Sequence, residues 1–384
     1  YLFDDLYPGD YVVSVAASNF TGVLNGYWSS GTSRTAAGVI TETAPALANS
    51  DTDSDDNGTL QTAGLLNGAV ISSTVTLGPS GNAEPTLETN LEPVIGQGNQ
   101  ADGRANMTVD FGFYKTEIGN LVFADTNNSG HYNVGDTLLQ NVTVQLYAGN
   151  DTTLLATTTT NASGDYRFNG QPEGNYVVKV ATPAGMTSTI DTLDSADNAT
   201  PEVNTDNNDN GIGEGAGTVT AGTLTMTAAE GAFNITVTNA TGTTTDLTVD
   251  FGFVPLYSLG NRVWFDTNNN SLMDAGEVGV NGVVVNLYRA DGLGNPTGAS
   301  LATDTTTVGG FYLFDDLSPR DYVVVITQAN FASGGALAGY WSSATSLTGA
   351  GAITETAAPD ADIVATDADD NGTRDVSGGA FNGA

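Results

Sequence analysis

Two stretches of this chain place oxygen-bearing side chains at the spacing that wraps a hard cation. The first is Asp125-Thr126-Asn127-Asn128-Ser129-Gly130-His131-Tyr132-Asn133-Val134-Gly135-Asp136, and the second is Asp266-Thr267-Asn268-Asn269-Asn270-Ser271-Leu272-Met273-Asp274-Ala275-Gly276-Glu277. Side-chain oxygens fall at loop positions one, three, five, nine and twelve, the pattern of calcium (Ca2+) loops of the EF-hand type. A turn rich in Asp and Asn can imitate it, because these side chains also hydrogen-bond their own backbone. Recurrence argues against turn chemistry alone. Each copy leads into the same alternating apolar run, Val142, Val144, Leu146 and Val283, Val285, Leu287, and calcium is the expectation at both.

A second acidic motif occurs three times, as Asp53-Ser54-Asp55-Asp56-Asn57-Gly58, Asp206-Asn207-Asn208-Asp209-Asn210-Gly211 and Asp367-Ala368-Asp369-Asp370-Asn371-Gly372. Carboxylates this close repel one another unless a cation sits between them. The chain has 9 Lys and Arg against 44 Asp and Glu, so a divalent ion is the simplest neutraliser, and a solvated acidic loop is the alternative. Asp110 and Asp250, within the closing motifs Val109-Asp110-Phe111-Gly112-Phe113 and Val249-Asp250-Phe251-Gly252-Phe253, are grouped with these candidate ligands.

The elements that must hold such loops are strands. Gly, Thr, Asn, Ala and Val dominate, and short runs alternate with period two, as at 142–147, 176–180 and 247–251. Gly and Asx turns separate them, which points to an all-β chain of antiparallel β-sandwiches. Residues 1 to about 70 recur as 312–384: Tyr1-Leu2-Phe3-Asp4-Asp5-Leu6 returns as Tyr312-Leu313-Phe314-Asp315-Asp316-Leu317, and Gly26-Tyr27-Trp28 as Gly339-Tyr340-Trp341. The middle of the chain carries the same grammar in shorter form, Gly164-Asp165-Tyr166-Arg167-Phe168 and Gly174-Asn175-Tyr176-Val177-Val178. Domains are therefore expected at 1–114, 115–254 and 255–384. The first is expected to lack its opening strands and calcium loop, and the last its closing strands. Such open ends imply a window onto a longer tandem array, or completion by neighbouring copies. The linkers at 114–117 and 254–257 are short enough to restrict the angle between neighbours.

Composition excludes several functions. A net charge of −35 and a pI of about 4.1 make nucleic acid a poor partner. No apolar run approaches the roughly 18 residues of a spanning helix, and no signal peptide opens the chain. With no Cys there is neither a disulfide nor thiol chemistry. Asp outnumbers Glu about three to one and gathers in loops, which favours ligand loops over general adaptation to salt. Catalysis has little to work with: the single His131 lies in a candidate metal loop, and Gly211-Ile212-Gly213-Glu214-Gly215 lacks the Lys and helix of a phosphate-binding loop. Carboxylate pairs abound, but each is better placed as metal ligands, and the reading is that of a non-enzyme.

At Ile118-Gly119-Asn120-Leu121-Val122-Phe123-Ala124-Asp125, and again at Leu259-Gly260-Asn261-Arg262-Val263-Trp264-Phe265-Asp266, followed by Gly-x-Tyr-x-Phe, Gly-x-Tyr-x-Val and Asp-Phe-Gly-Phe, the sequence resembles the B-type (SdrD B-like) domains of serine-aspartate repeat adhesins. These are relatives of the collagen-adhesin B (Cna-B-like) family. The resemblance implies a prealbumin-like β-sandwich, calcium in the long loop and at the Asp-x-x-Asp-Asn-Gly segments, and a stalk-like role outside the cell. Carried over by motif, the ligands are Asp125, Asn127, Ser129, the His131 carbonyl, Asn133 and Asp136, and then Asp266, Asn268, Asn270, the Leu272 carbonyl, Asp274 and Glu277. Ser129 and the shorter Asp136 imply weaker binding in the first loop. The Lys–Asn isopeptide bond of some relatives is not expected, because Lys115 lies in a linker and Lys179 alternates outward.

Two functions follow as expectations. The first is a structural repeat of an extracellular cell-surface fibre, filament or stalk, stiffened by calcium and partnered by neighbouring copies or further repeats. The alternative is an adhesin for a host protein or glycan. Tyr27-Trp28 and Tyr340-Trp341, in an insertion absent from the middle domain, could pack on their own sandwich, contact a neighbouring domain or stack on a sugar.

Overall fold

The computed structural model describes residues 1–49, 55–79, 83–85, 100, 104–189, 207, 209–212, 218–221, 224–226, 243–356 and 369–374. The chain divides into two bodies, Tyr1–Val254 and Pro255–Ala384.

The first body opens with eight short strands: β1 (Gly9–Tyr11), β2 (Ser14–Val15), β3 (Trp28–Ser29), β4 (Thr32–Arg34), β5 (Ile40–Glu42), β6 (Gly58–Leu60), β7 (Val70–Ser72) and β8 (Val75–Leu77). A twelve-residue strand, β9 (Phe113–Ala124), follows. After it come β10 (Thr137–Leu138), β11 (Thr143–Ala148), β12 (Leu154–Thr159), β13 (Asp165–Gln171), β14 (Glu173–Ala181) and β15 (Met186–Ser188). The last strands of this body are β16 (Gly211–Ile212), β17 (Thr218–Ala221), β18 (Leu224–Met226), β19 (Thr243–Asp246) and β20 (Phe251–Pro255).

Period-two patterning builds its two main sheets. Along β11, Val144, Leu146 and Ala148 are buried while the residues between them are half-buried. One sheet runs β10-β9-β20-β15, with β13, β19 and β3 also on β9; the other runs β12-β11-β14-β17-β16, with β18 and β4 on β14. Between them lies one core, to which β9, β13 and β20 give Ile118, Tyr166 and Phe251, and β11 and β14 give Leu146 and Tyr176. This is an all-β sandwich. Pairing is not antiparallel throughout, because β19 and β20 run parallel to β9, and β4 runs parallel to β14. Alternation encodes which face is buried, not strand direction.

Strand β9 belongs to both halves of this body. Its start pairs with β3, Tyr114 opposite Trp28, and its middle with β13, Leu121 opposite Asp165. The expected linker at 114–117 is therefore the interior of a strand. The seam beside it is tight: Trp28 Nε1 donates to the Gly170 carbonyl at 2.7 Å and Glu173 N to the Tyr114 hydroxyl at 2.8 Å. A Cβ on Gly170 would lie 2.7 Å from the Gly26 Cα, so this close approach of the two backbones requires glycine at 170.

The strand expected at 247–251 does not form as one ladder, since β19 ends at Asp246 and β20 begins at Phe251. Across the gap, main-chain bonds such as Val249 N to Gly119 O at 3.0 Å are joined by side-chain oxygens. The Asn210 Oδ1 accepts from Asp250 N at 2.8 Å, and Asp250 Oδ1 from Leu121 N at 3.0 Å. Lys179 alternates away from the core residues Tyr176, Val178 and Val180 and is half-buried, with its Nζ 2.7 Å from Asp151 Oδ1 and 4.6 Å from the centre of the Tyr147 ring.

The second body contains β21 (Tyr257–Arg262), β22 (Val284–Ala290), β23 (Pro296–Thr305), β24 (Phe311–Leu317), β25 (Tyr322–Ile326), β26 (Thr345–Leu347) and β27 (Ile353–Glu355). Strands pair as β21-β24, β23-β22-β25 and β26-β27. Val263, Val280, Val283, Val285, Leu287, Phe314 and Leu337 form its core.

Tyrosine hydroxyls tie the repeats together internally. Tyr11, Tyr176 and Tyr322 each donate to the carbonyl four residues earlier, at 2.7, 2.6 and 2.9 Å. Tyr166 donates to the Val249 carbonyl at 2.7 Å, and Tyr1 donates to Val109, so both closing motifs are held by an equivalent tyrosine. Replacing Tyr166 with Phe leaves a buried carbonyl without this donor and is expected to cost the first body about 1–3 kcal/mol. Tyr312→Phe, where no such bond forms among the described residues, is expected to change stability by less than about 0.5 kcal/mol. Denaturant unfolding of the two variants checks the difference.

Candidate metal centre

The first acidic loop leaves β9 at Asp125 and enters β10 at Thr137. It turns through left-handed residues at Asn128, Gly130 and Gly135, and the second loop does so at Asn269, Ser271 and Gly276. Asn tolerates this conformation and Gly adopts it freely, whereas Ser271 is a less common choice.

Within the first loop the expected ligands converge. His131 O lies 3.0 Å from both Ser129 Oγ and Asn133 Nδ2, and Asn127 Nδ2 lies 3.2 Å from Asn133 Oδ1. Asp136 closes the loop, its two oxygens accepting from Thr126 N and Asn133 N at 2.8 Å each. Asp125 is fully buried and accepts from Gly130 N and the Thr189 hydroxyl, both at 2.7 Å. The second loop repeats the plan. Glu277 accepts from Thr267 N at 2.6 Å and Asp274 N at 3.0 Å, while Asn268 and Asn270 turn their amides to Asp274 Oδ2 at 2.8 and 2.9 Å. Asp266 accepts from Ser271 N at 2.8 Å. Burial raises the Asp266 pKa, but the Ser271 N–H, the Ser343 hydroxyl and the N–H groups of Asn270 and Asn269 outweigh it and lower the value overall. Leu272 is bridged to Asp369.

The second acidic motif works as a clasp on the closing strand. Asp209 Oδ1 accepts from Gly211 N and Gly252 N at 2.9 Å each, as Asp56 Oδ1 does from Gly58 N at 3.1 Å and Gly112 N at 2.9 Å. Asn57 Oδ1 takes Asp110 N at 2.8 Å, matching Asn210 and Asp250. In the second body Asp370 Oδ1 accepts from Gly372 N at 3.0 Å, and Asn371 is exposed. Asp53, Asp206 and Asp367 lie outside the described residues.

The two motifs meet, which their separation in sequence does not announce. Tyr132 N donates to Asn207 O and Asp209 N to Gly130 O, at 2.8 and 2.9 Å, and Asp370 N donates to Ser271 O at 2.8 Å. Sequence reasoning also missed Thr189 beside Asp125, Ser188 beside Asp209, and Glu42 with its repeat Glu355. The Glu42 carboxylate accepts from Leu60 N at 2.6 Å and Glu355 from Arg374 N at 2.9 Å. Their other oxygens, together with the hydroxyl oxygens of Ser29, Thr32 and Thr345, are buried without a well-formed hydrogen bond. The recurring Ile-Thr-Glu-Thr at 40–43 and 353–356 was the available signal.

The donor set is one of hard oxygens, which suits calcium rather than a softer metal. Each carboxylate oxygen that accepts one N–H keeps lone-pair capacity for an ion, and an amide flip at Asn268 or Asn270 exchanges nitrogen for oxygen. Among the described residues, no three Asp, Glu or His side chains gather as a ready-made cluster, so amide, hydroxyl and main-chain oxygens must complete any coordination shell. Acid crowding is plain at Asp370, which burial and the carboxylates of Glu355, Asp266 and Asp369 push up to about 6 against the pull of the Gly372 N–H. Burial likewise raises Glu42 and Asp56.

A model of the SdrD B-like domain family matches residues 116–210 and 257–348. Serine-aspartate repeat-containing protein E of Staphylococcus aureus (strain MSSA476) is 32% identical over 234 residues, covering 59% of this chain and 17% of that protein. The bone sialoprotein-binding protein of Staphylococcus aureus is 30% identical over 303 residues, covering 76% of this chain and 23% of that protein. The chain thus spans less than a quarter of either relative. The minor pilin GBS52 of Streptococcus agalactiae aligns over 63% of this chain and 89% of its own at 14% identity and a TM-score of 0.22, a likeness too loose to bear on function.

A carboxyl whose pKa is higher in the folded than in the unfolded state binds protons on folding, so its stabilisation is full below the unfolded value near ~3.9 and is lost as pH rises through the folded value. For Asp370 the window runs up to about 6. In chelator, the thermal midpoint of the second body is expected to fall as pH is raised through this window, and Asp370→Asn is expected to flatten that slope.

Proposed function

The chain carries SdrD B-like domains over residues 116–210 and 257–348, and from that premise we propose that it is a structural segment of an extracellular, cell-surface stalk or fibre, stiffened by calcium in its acidic loops. One observation carries the structural part: β9 runs unbroken from its pairing with β3 to its pairing with β13 and β10. Bending there breaks ladder hydrogen bonds on both sides, and a strand shared by two packed segments is how a tandem chain stays straight.

Calcium is supported by the converging oxygens of the two loops and by the crowded carboxylates beside them. Carboxylates, amides and main-chain carbonyls supply ligands here, and the reading assigns the protein no catalytic role. Further repeats of the same kind are its proposed partners. Host-protein binding stands as a second reading, favoured by the similarity to the bone sialoprotein-binding protein.

Micrographs of the purified protein in calcium are expected to show stiff rods; rods that also bind immobilised bone sialoprotein would add the adhesive role, and flexible beads would overturn the stalk. Calcium at 100 times its dissociation constant adds about 2.7 kcal/mol to a folded body. Chelation is therefore expected to lower the melting temperature and speed proteolysis. Calorimetric titration is expected to show a tighter step lost in Glu277→Gln and a weaker one lost in Asp136→Asn.

A further inference from the structure

The hairpin that closes the seam in the first body recurs in the second with its outer face open. The two hairpins share their geometry: Thr35 N donates to Val39 O at 2.8 Å as Thr348 N does to Ala352 O, and Ser33 Oγ meets Thr41 Oγ1 at 3.1 Å as Ser346 Oγ meets Thr354 Oγ1. Their surroundings differ. A Cβ on Gly26 would meet the Gly170 Cα at 3.5 Å and one on Gly38 would meet the Thr153 side chain at 3.1 Å, whereas their repeats Gly339 and Gly351 would meet nothing within 4 Å. Trp28 is half-buried against Gly170. Its repeat Trp341 is 57% exposed, even with the Arg374 guanidinium 4.8 Å from its ring centre, and Leu347, at the position of Arg34, is 70% exposed.

We infer that the face formed by Trp341 and the β26-β27 hairpin is a docking surface for a further SdrD B-like domain, seated as residues 115–181 sit on Trp28 and the β4-β5 hairpin. The occupant is named by the template inside the same molecule. The first hairpin adds β4 to the edge of β14 in parallel, Ser33 opposite Glu173, and Asn150 N donates to Ala36 O at 2.9 Å. The incoming domain is expected to present an equivalent Gly-Gly approach to Gly339 and a carbonyl to the Trp341 indole. This inference rests on the tandem-stalk reading and adds to it the surface through which one domain fixes the next.

The test uses the whole chain extended by its own sequence. Asn382-Gly383-Ala384 matches Asn67-Gly68-Ala69, so residues 70–254 are appended after Ala384, which supplies a closing strand and a complete domain in register. Hydrogen exchange at 339–356 is expected to slow tenfold or more, towards that of 26–43 in the same molecule, and Trp341→Ala is expected to abolish the gain without affecting 26–43. Unchanged exchange at 339–356 with 26–43 still protected overturns the docking surface and leaves the stalk intact. Fast exchange at 26–43 itself overturns the stalk. Protection of 339–356 in the unextended chain that appears only at dimer-forming concentration assigns the face to a second copy and overturns the proposed occupant. A second variant needs no extension: Trp28→Ala in the 384-residue chain is expected to speed exchange at 113–117 and 168–174, and no change there removes the template on which the inference depends.

Discussion

The constraint on which this structure turns is the disposal of negative charge by the backbone. With 44 acidic residues against 9 basic ones, ion pairs cannot do it, and only three form among the described residues, at Glu117 (twice) and Asp151. Carboxylates point instead at main-chain N–H groups: Asp56 and Asp209 at closing glycines, Asp250 at β9, and Asp136 and Glu277 across their own loops. Hydrogen bonds to a charged acceptor contribute about 1.5–3 kcal/mol, roughly twice a neutral one. The acidic residues are thus structural first, and they decide where turns close and where the closing segments at Gly112 and Gly252 are fastened.

That account also identifies where the backbone runs short. At Glu42 and Glu355 one oxygen is satisfied by an N–H and the other is buried without a well-formed bond. At Asp370 neighbouring carboxylates add to the burial that raises its pKa. Protons relieve such crowding at low pH, and a cation bound there would relieve it at neutral pH for the same electrostatic reason.

What could be read from the sequence follows from what each interaction leaves in it. Val142, Val144 and Leu146 announce a buried face through alternation, the Asp125 and Asp266 loops announce themselves through fixed spacing, and the repeat of 1–70 at 312–384 is visible by identity. The contact between Gly130 and Asp209, or Ser271 and Asp370, is made by main-chain atoms of distant segments and imposes no residue type. Parallel pairing of β19 and β20 with β9 is silent for the same reason. At 247–250 the strand pattern is real, but isolated main-chain bonds and the side-chain oxygens of Asp250 and Asn210 take the place of a continuous ladder. Thr189 and Ser188 lie in an ordinary Thr-Ser-Thr run, with nothing to distinguish them before Asp125 and Asp209 are placed beside them.

Stiffness in such a chain has two separable sources. The seam of the first body is made by β9, the Trp28 indole, the Tyr114 hydroxyl and the glycine contact at Gly26 and Gly170, none of which is a carboxylate. The loops at 125–136 and 266–277 are held largely by carboxylates and amides. On the proposed reading, an ion bound in a loop would tighten the rim of its own sandwich and would not act on the seam's hydrogen bonds. Alignment of one domain on the next therefore belongs to the seam, while resistance of each domain to unfolding belongs to the loops. In the proposed stalk, the seam would therefore set direction, and calcium in the loops would add to the durability of each link.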